Sequence, residues 1–316
     1  MCIRDRYKDW STLSSCIESL KKYVPSGNSV LLINDCGPEW EELEHNILSA
    51  IADCPNFTYA KNEENLGFVK TCNHSLELAD PATDILLLNS DTAVTEGFLT
   101  EMQEVLYADE RHGAVCPRSN NATLLTMPPR KNTTAGLTPE VSHSIYETVK
   151  DMLPRWTILP TGVGFALLIK RDVLNRFGLF DEIYSPGYNE ENDFCARINQ
   201  YGFSIVMANH AYVYHYESKS FGSRRAKLDA EHFAILNKRY PYYSNLISTY
   251  FHGGMEPVDY FADLIGDGLY PKKRILFSLY ETPASYNGTA KYSISIYEAF
   301  LRPVSYTHLR AHETSL

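Results

Sequence analysis

Asp84-Ile-Leu-Leu-Leu-Asn-Ser-Asp91-Thr92 drives an uninterrupted apolar run into a cluster of oxygen-bearing side chains. A short apolar run without alternation reads as a strand buried on both faces, and its polar end then marks the rim of a sheet. In open parallel sheets the carboxyl ends of the strands face the ligand crevice. Asp91 at such an end is placed to meet a hard cation and the phosphates that accompany it. The alternative is a cap, with Asp91 and Thr92 serving a helix that starts near Glu96.

Outward from this strand the chain alternates strands and helices. Trp10, Leu13, Ile17 and Leu20 recur at helical spacing, and residues 29–34 read as a buried strand ending at Asp35. A helix through Trp40, Leu43, Ile47 and Ile51 leads to a short strand over 57–60, and helices are predicted over 67–78 and 98–106. Strands separated by helices of this length imply right-handed βαβ units with the strand ends on one face, so Asp35 and Asp91 are expected to share a rim. Residues 117–135, rich in Asn, Thr and Pro without periodicity, are expected to form a long loop that covers a site or moves. A strand is predicted over 161–169, where Gly162 and Gly164 permit close approach of a ligand or of neighbouring backbone. Glu190-Glu-Asn-Asp-Phe-Cys-Ala-Arg197 opens a helix, and two strands follow over 204–207 and 211–215.

Composition bounds the function. The 316 residues suffice for one large core and part of a second, and 44% hydrophobic with 22% charged residues is ordinary for a globular protein. A net charge of −10 without a basic cluster argues against a nucleic-acid partner. No apolar run reaches the roughly 18 residues that span a bilayer, so any membrane association is expected to be peripheral. The seven cysteines form no Cys-x-x-Cys pair, which argues against a zinc site and for thiols in a reducing compartment. The Asn-x-Ser/Thr triplets at Asn56, Asn73, Asn121, Asn132 and Asn287 are read as coincidental.

Residues 1–6 and 303–316 resemble translated adapter sequence found at the ends of metagenomic reading frames, and are set aside from the fold. The natural chain is therefore expected to begin before Tyr7 and to continue beyond about residue 302.

Taken in order, Leu31-Leu-Ile-Asn-Asp35, Asn62-Glu-Glu-Asn-Leu-Gly67 with Asn73, Leu88-Asn-Ser-Asp91, Thr161-Gly-Val-Gly164, Gly178-Leu-Phe-Asp181, Glu190-Glu-Asn-Asp193 and Tyr214-His215 resemble family 2 glycosyltransferases of the GT-A fold, in the rhamnosyltransferase-like group. The resemblance implies an α/β fold with a Rossmann-like mixed sheet flanked by helices over residues 7–251, lacking its first strand and the nucleotide contact at that strand's end. A fragment without that strand is expected to be poorly active. A linker over 252–270 and the opening of a GT-B-like domain over 271–302, starting Pro271-Lys-Lys-Arg-Ile-Leu-Phe, are expected to follow.

The resemblance also implies roles. The donor is a nucleoside-diphosphate sugar, contacted by Asp35 at base and ribose, with Asn65, Gly67 and Asn73 lining the same pocket. A helix beginning beside Gly67 would aim backbone N–H groups at anionic oxygen. Mn²⁺ or Mg²⁺ is the expected cofactor, with Asp91 and His215 as ligands and Asn89 near the ribose or a metal-bound water. The acceptor, a glycan or a lipid-linked glycan, loses its proton to Glu191, with Glu190 as acceptor-binding partner, Asp193 as the other candidate base, and Gly162 and Gly164 beside the acceptor. The implied outcome is inversion, in the service of cell-wall or surface polysaccharide, in the cytoplasm or at the inner face of the membrane.

Each residue has a structural reading as well. Asp35 before Cys36-Gly37 suits a turn. His215 suits a rim histidine bonded to backbone, and three acids at a helix start complement its dipole. The rival function is a non-catalytic glycan-binding or scaffolding domain of the same fold. A nucleotidyltransferase would need an early Gly-rich basic loop, which this sequence lacks.

Overall fold

The computed structural model describes residues 2–4, 10–37, 40–129, 137–216 and 223–266. In chain order the strands are β1 (Cys2–Arg4), β2 (Val30–Asn34), β3 (Phe57–Lys61), β4 (Ile85–Asn89), β5 (Thr92–Val94), β6 (His112–Arg118), β7 (Trp156–Leu159), β8 (Ala166–Ile169) and β9 (Ser204–His215). The helices are α1 (Trp10–Tyr23), α2 (Trp40–Ile51), α3 (Gly67–Leu78), α4 (Phe98–Leu106), α5 (Pro139–Val149), α6 (Arg171–Phe177), α7 (Glu190–Asn199), α8 (Ser223–Arg239), α9 (Tyr243–Thr249) and α10 (Pro257–Leu264).

These strands form a mixed sheet in the order β3-β2-β1-β4-β8-β6-β9-β5, with β7 added against β9. Its first half, β3 to β4, is parallel. In the second half β8 runs antiparallel to both β4 and β6, and β6 runs parallel to β9. The apolar residues of β4 are all buried, as their unbroken run predicts for a strand covered on both faces. Helix α1 turns Leu13, Cys16, Ile17 and Leu20 inward on one stripe, the arrangement its 3.6-residue spacing dictates. Ends of the parallel strands share a rim, so Asp35 and Asp91 lie on the same edge of the sheet.

Five expectations need correction. The place of the first strand is filled, because Cys2–Arg4 pairs in parallel with β2 on one side and β4 on the other. Residues 119–128 do not form an exposed covering loop; they are largely buried, and Ser119 pairs with Thr126 across a short turn. The strand expected over 161–169 begins only at Ala166, while the two strands expected over 204–215 are one twelve-residue strand.

The linker expected over 252–270 is the fifth. The first compact unit runs to Gly266, and α10 is fixed to it by Asp259, which meets Arg118 at 2.6 Å with both side chains buried. Arg118 also donates from Nε to Asn209 Oδ1 at 2.8 Å. Such a pair is satisfied only when both partners are seated, so it ties α10 to β6 and β9. The GT-B-like segment expected over 271–302 lies outside the described residues. Among the described residues no helix is long and apolar enough to cross a membrane.

Candidate active site

Antiparallel pairing of β5 with β9 sets Thr92 opposite His215 and brings the end of the apolar strand to the imidazole. The Tyr216 N–H donates to the Asp91 carbonyl at 2.9 Å, so the carboxylate is aimed by backbone bonds. Asp91 is buried, and its Oδ1 lies 3.5 Å from His215 Nε2. His215 is itself clamped. Its N–H donates to Asn120 Oδ1 at 2.8 Å, its carbonyl accepts from Asn120 Nδ2 at 2.9 Å, and its Nδ1 lies 2.6 Å from the Asn121 carbonyl.

A carbonyl only accepts, so Nδ1 carries the proton and Nε2 is the atom turned to Asp91. This is how metal-binding histidines are oriented, with one ring N–H held by a backbone carbonyl. A carboxylate oxygen and an imidazole lone pair at that distance repel unless positive charge stands between them, as a proton or as a cation. The donor set of one carboxylate and one imidazole suits manganese.

The turn before β8 joins this pair to the acids of α7. Asn89 donates its N–H to the Phe165 carbonyl at 2.8 Å, and the Phe165 ring stacks on His215 with centroids 5.1 Å apart. At Gly164 an added Cβ would sit 3.9 Å from both Glu191 Cβ and the Phe68 ring. Two consecutive residues therefore have His215 and Glu191 as neighbours. Asn89 stands half-buried at the end of β4 on this side.

Glu191, in the first turn of α7, has a carboxyl shifted by its surroundings. Burial, together with the Asp229 carboxylate, raises its pKa to about 7, against the pull of backbone N–H groups at the start of α7. A carboxylate poised there is half ionised near neutrality and accepts a proton readily. The backbone leading to it is held in a sparsely populated conformation, with φ of 77° at Tyr188 and 69° at Asn189. Asn189 Nδ2 donates to Asp229 Oδ1 at 2.9 Å, Asn192 Nδ2 to Asn189 Oδ1 at 3.1 Å, and Thr161 Oγ1 to Asn192 Oδ1 at 2.9 Å. His232, buried, donates from Nδ1 to the carbonyls of Gly187 and Tyr188. Asp229 and His232 carry no local sequence signal, because both sit on α8 and reach the site only through the tertiary fold.

Other candidates are engaged in bonds within the protein. Asp35 Oδ1 accepts from Asn62 Nδ2 (2.8 Å), the Leu66 N–H (2.9 Å) and Thr71 Oγ1 (2.7 Å), and Oδ2 accepts from the Gly67 N–H (3.0 Å). Most of the carboxylate is thus committed to anchoring the turn before α3. Asn65 donates to the Asp35 carbonyl at 2.9 Å and belongs to the same anchor.

Gly67, at φ +77°, packs so closely that a Cβ would come within 2.9 Å of Pro186 Cβ. The Phe68 N–H donates to the Pro186 carbonyl at 2.9 Å. With the N–H groups of 66, 67 and 68 all engaged, the anion site expected at this helix start does not form. Asn73 exchanges two bonds with the Phe180 backbone, at 2.9 and 3.1 Å, and so clasps α3 to the 178–181 segment instead of lining a pocket.

Gly162 is a packing glycine, since a Cβ there would lie 3.0 Å from Leu167 and 3.3 to 3.4 Å from the sulfurs of Cys116 and Cys195. Glu190 is only 5% exposed, and Asp193 only 1%. Asp193 Oδ1 accepts from Arg239 Nη1 at 2.8 Å and Tyr184 Oη at 3.2 Å, with Arg197 at 3.5 Å from Oδ2. An acid so enclosed by cations anchors α8. Among the described residues no group of three or more His, Cys, Asp and Glu side chains is arranged to hold a metal alone.

A mixed sheet flanked by helices, its parallel half ending at such a rim, is the GT-A architecture. Within it, the family model "Glycosyl transferase family 2" matches residues 2–178, more than half of the chain, and the chain belongs to that family. Asp91 falls within the matched span; Glu191 and His215 lie beyond it. The structure of GalNAc-T7 with UDP, GalNAc and Mn²⁺ is similar at TM-score 0.58 and 14% identity, over 84% of this chain and 54% of that one. This chain therefore spans about half the length of GalNAc-T7. Mannosyltransferase PcManGT from Pyrobaculum calidifontis, in complex with GDP-Man and Mn²⁺, is similar at TM-score 0.50 and 12% identity, over 95% of this chain and 85% of that one. At these identities the likeness is one of fold. No curated protein sequence matches the chain.

Proposed function

We propose that this protein transfers a sugar, of hexosyl or rhamnosyl type, from a nucleoside diphosphate to a hydroxyl of a glycan or lipid-linked acceptor, with inversion and with the help of Mn²⁺ or Mg²⁺. The observation that carries this reading is the pairing of Asp91 with an His215 Nε2 whose ring is locked by Asn121, one turn away from Glu191. Asp91 and His215 would hold the cation, which stabilises the negative charge leaving on the diphosphate as a Lewis acid. Two protein ligands leave most of a hard cation's coordination to diphosphate and water oxygens.

Glu191 takes the proton of the acceptor hydroxyl as its oxygen bonds to the anomeric carbon. The carbon–oxygen bond to the diphosphate breaks on the opposite face, and the proton ends on the Glu191 carboxylate. One base and one displacement give inversion. The work would be done in the cytoplasm or at the inner membrane face, for cell-wall or surface polysaccharide. Calorimetric titration of UDP, GDP and dTDP with and without Mn²⁺ tests the donor half. Binding of at least one nucleotide should require the metal and be lost in Asp91→Ala, and metal-independent binding of equal strength in both proteins would overturn it.

A further inference from the structure

Residues alternate faces along β9, and the ribbon it forms with β5 consequently has a second side. Val213 and His215 face the core and the candidate active site, while Tyr212, Tyr214 and Tyr216 face the other way. A cavity of about 970 Å³ opens on that reverse side, between the ribbon, the C-terminal end of α1 and helix α5. Its wall is a built aromatic stack. The rings of Tyr214 and Tyr216 are nearly parallel, 6° apart with centroids at 6.2 Å, and Tyr216 is 39% exposed. Behind them His143 packs edge-on to Tyr214 at 5.1 Å and against Tyr212 at 4.7 Å, and Tyr146 backs Tyr212 at 4.7 Å. Tyr23 lines the opposite side.

The charge lining this cavity cancels. Glu18, Glu96 and Glu147 face Lys21, Lys22 and Lys150 around it. Two of these pairs are joined directly, Lys21 to Glu18 at 2.9 Å and Lys150 to Glu147 at 2.7 Å. Burial lowers the pKa of His143 and keeps that ring neutral. A nucleotide or another polyanion would find no net positive charge here. What the lining offers instead is flat tyrosine faces flanked by carboxylates and ammonium groups, which stack on the C–H faces of pyranose rings and bond their hydroxyls. The volume is at the upper end of ordinary ligand pockets.

We infer that the reverse face of the β5–β9 ribbon is a second binding site, for a neutral oligosaccharide. It is separate from the donor and acceptor positions proposed above and does not depend on them. Because β9 carries His215, Tyr212 and Tyr214, with Tyr216 the next residue, a glycan held there lies across the ribbon from the proposed reacting groups.

Titration of the full chain with neutral hexasaccharides (maltohexaose, cellohexaose, mannohexaose and chitohexaose), followed by saturation-transfer NMR and tyrosine fluorescence, tests the site. At least one should saturate. Tyr216→Ala, at an exposed position that does not support the core, should weaken it roughly tenfold, the loss of one stacked ring, while Tyr216→Phe retains it. UDP with Mn²⁺ should not displace it, and Glu191→Gln should bind it unchanged. Failure of every hexasaccharide to bind at millimolar concentration, binding indifferent to Tyr216→Ala, or displacement by UDP would each overturn the inference. None of these outcomes bears on metal-dependent nucleotide binding, which is read separately.

Discussion

Asp35 and Asp91 follow strands of the same parallel array and reach the same rim, yet their carboxylates have different fates. Asp35 accepts four bonds from Asn62, Leu66, Gly67 and Thr71, whereas Asp91 is aimed by the backbone of Tyr216 at an imidazole 3.5 Å away. The parallel half of the rim is thus stitched by its side chains. The ribbon half is stitched by its backbone and by Asn120 and Asn121, which set Asp91 and His215 against each other. The same division recurs two residues apart on α7, where Asp193 is enclosed by Arg239, Arg197 and Tyr184 while Glu191 is raised to about 7.

The strongest way to break this contrast is on α7. Glu191→Gln should lower turnover by about 10²–10⁴-fold with donor affinity unchanged, because the base acts on the acceptor and not on the diphosphate. Asp193→Asn should instead lower the melting temperature, and a variant that melts normally but loses turnover would move the base to Asp193. On the parallel half, Asp35→Ala strands several buried donors and should cost about 3 kcal/mol of stability in urea unfolding. Unchanged stability with lost nucleotide binding would return Asp35 to the donor pocket. On the ribbon, His215→Ala should raise the Mn²⁺ concentration for half-maximal nucleotide binding by about 10–100-fold, with the melting temperature in the absence of metal little altered.

The smallest effect is one of pH. Glu191 titrates near 7 in the folded protein, above the roughly 4.3 of an unfolded glutamate. Between those values the folded chain binds more protons than the unfolded one, so stability falls as pH rises through the window. Glu191→Gln removes that fall. The variant should match its parent near pH 4.5 and melt higher at pH 8. A parallel pair of melting curves would show that the carboxylate ionises without cost, and its assignment as a tuned base would weaken.

What was legible and what was not divides along chain distance. The run 84–92 gave its strand and its rim because burial on both faces is written in an unbroken apolar sequence. The helices over 10–23 and 67–78 were likewise plain from spacing. Residues 119–128 looked like a covering loop because Asn, Thr and Pro carry no period, yet Asn120 and Asn121 are the residues that lock His215, 95 and 94 positions away. Arg118 and Asp259 fix α10 across 141 residues, which no local pattern announces. The aromatic alternation Tyr212, Tyr214, Tyr216 is visible in the sequence, but the cavity it lines needs α1 and α5.

By itself the sequence determined the alternating α/β architecture, the strand that ends at Asp91, and the presence of Glu191 and His215 as acid and imidazole downstream of it. Only the tertiary structure decided which polar side chains stay available for a ligand. Asp35, Asn73 and Asp193 have the residue types a site needs, but their lone pairs and protons are taken by Thr71, Phe180 and Arg239, at 36, 107 and 46 residues' separation. Residue type fixes what a group can bond, while the partner that reaches it first is set by packing between distant segments.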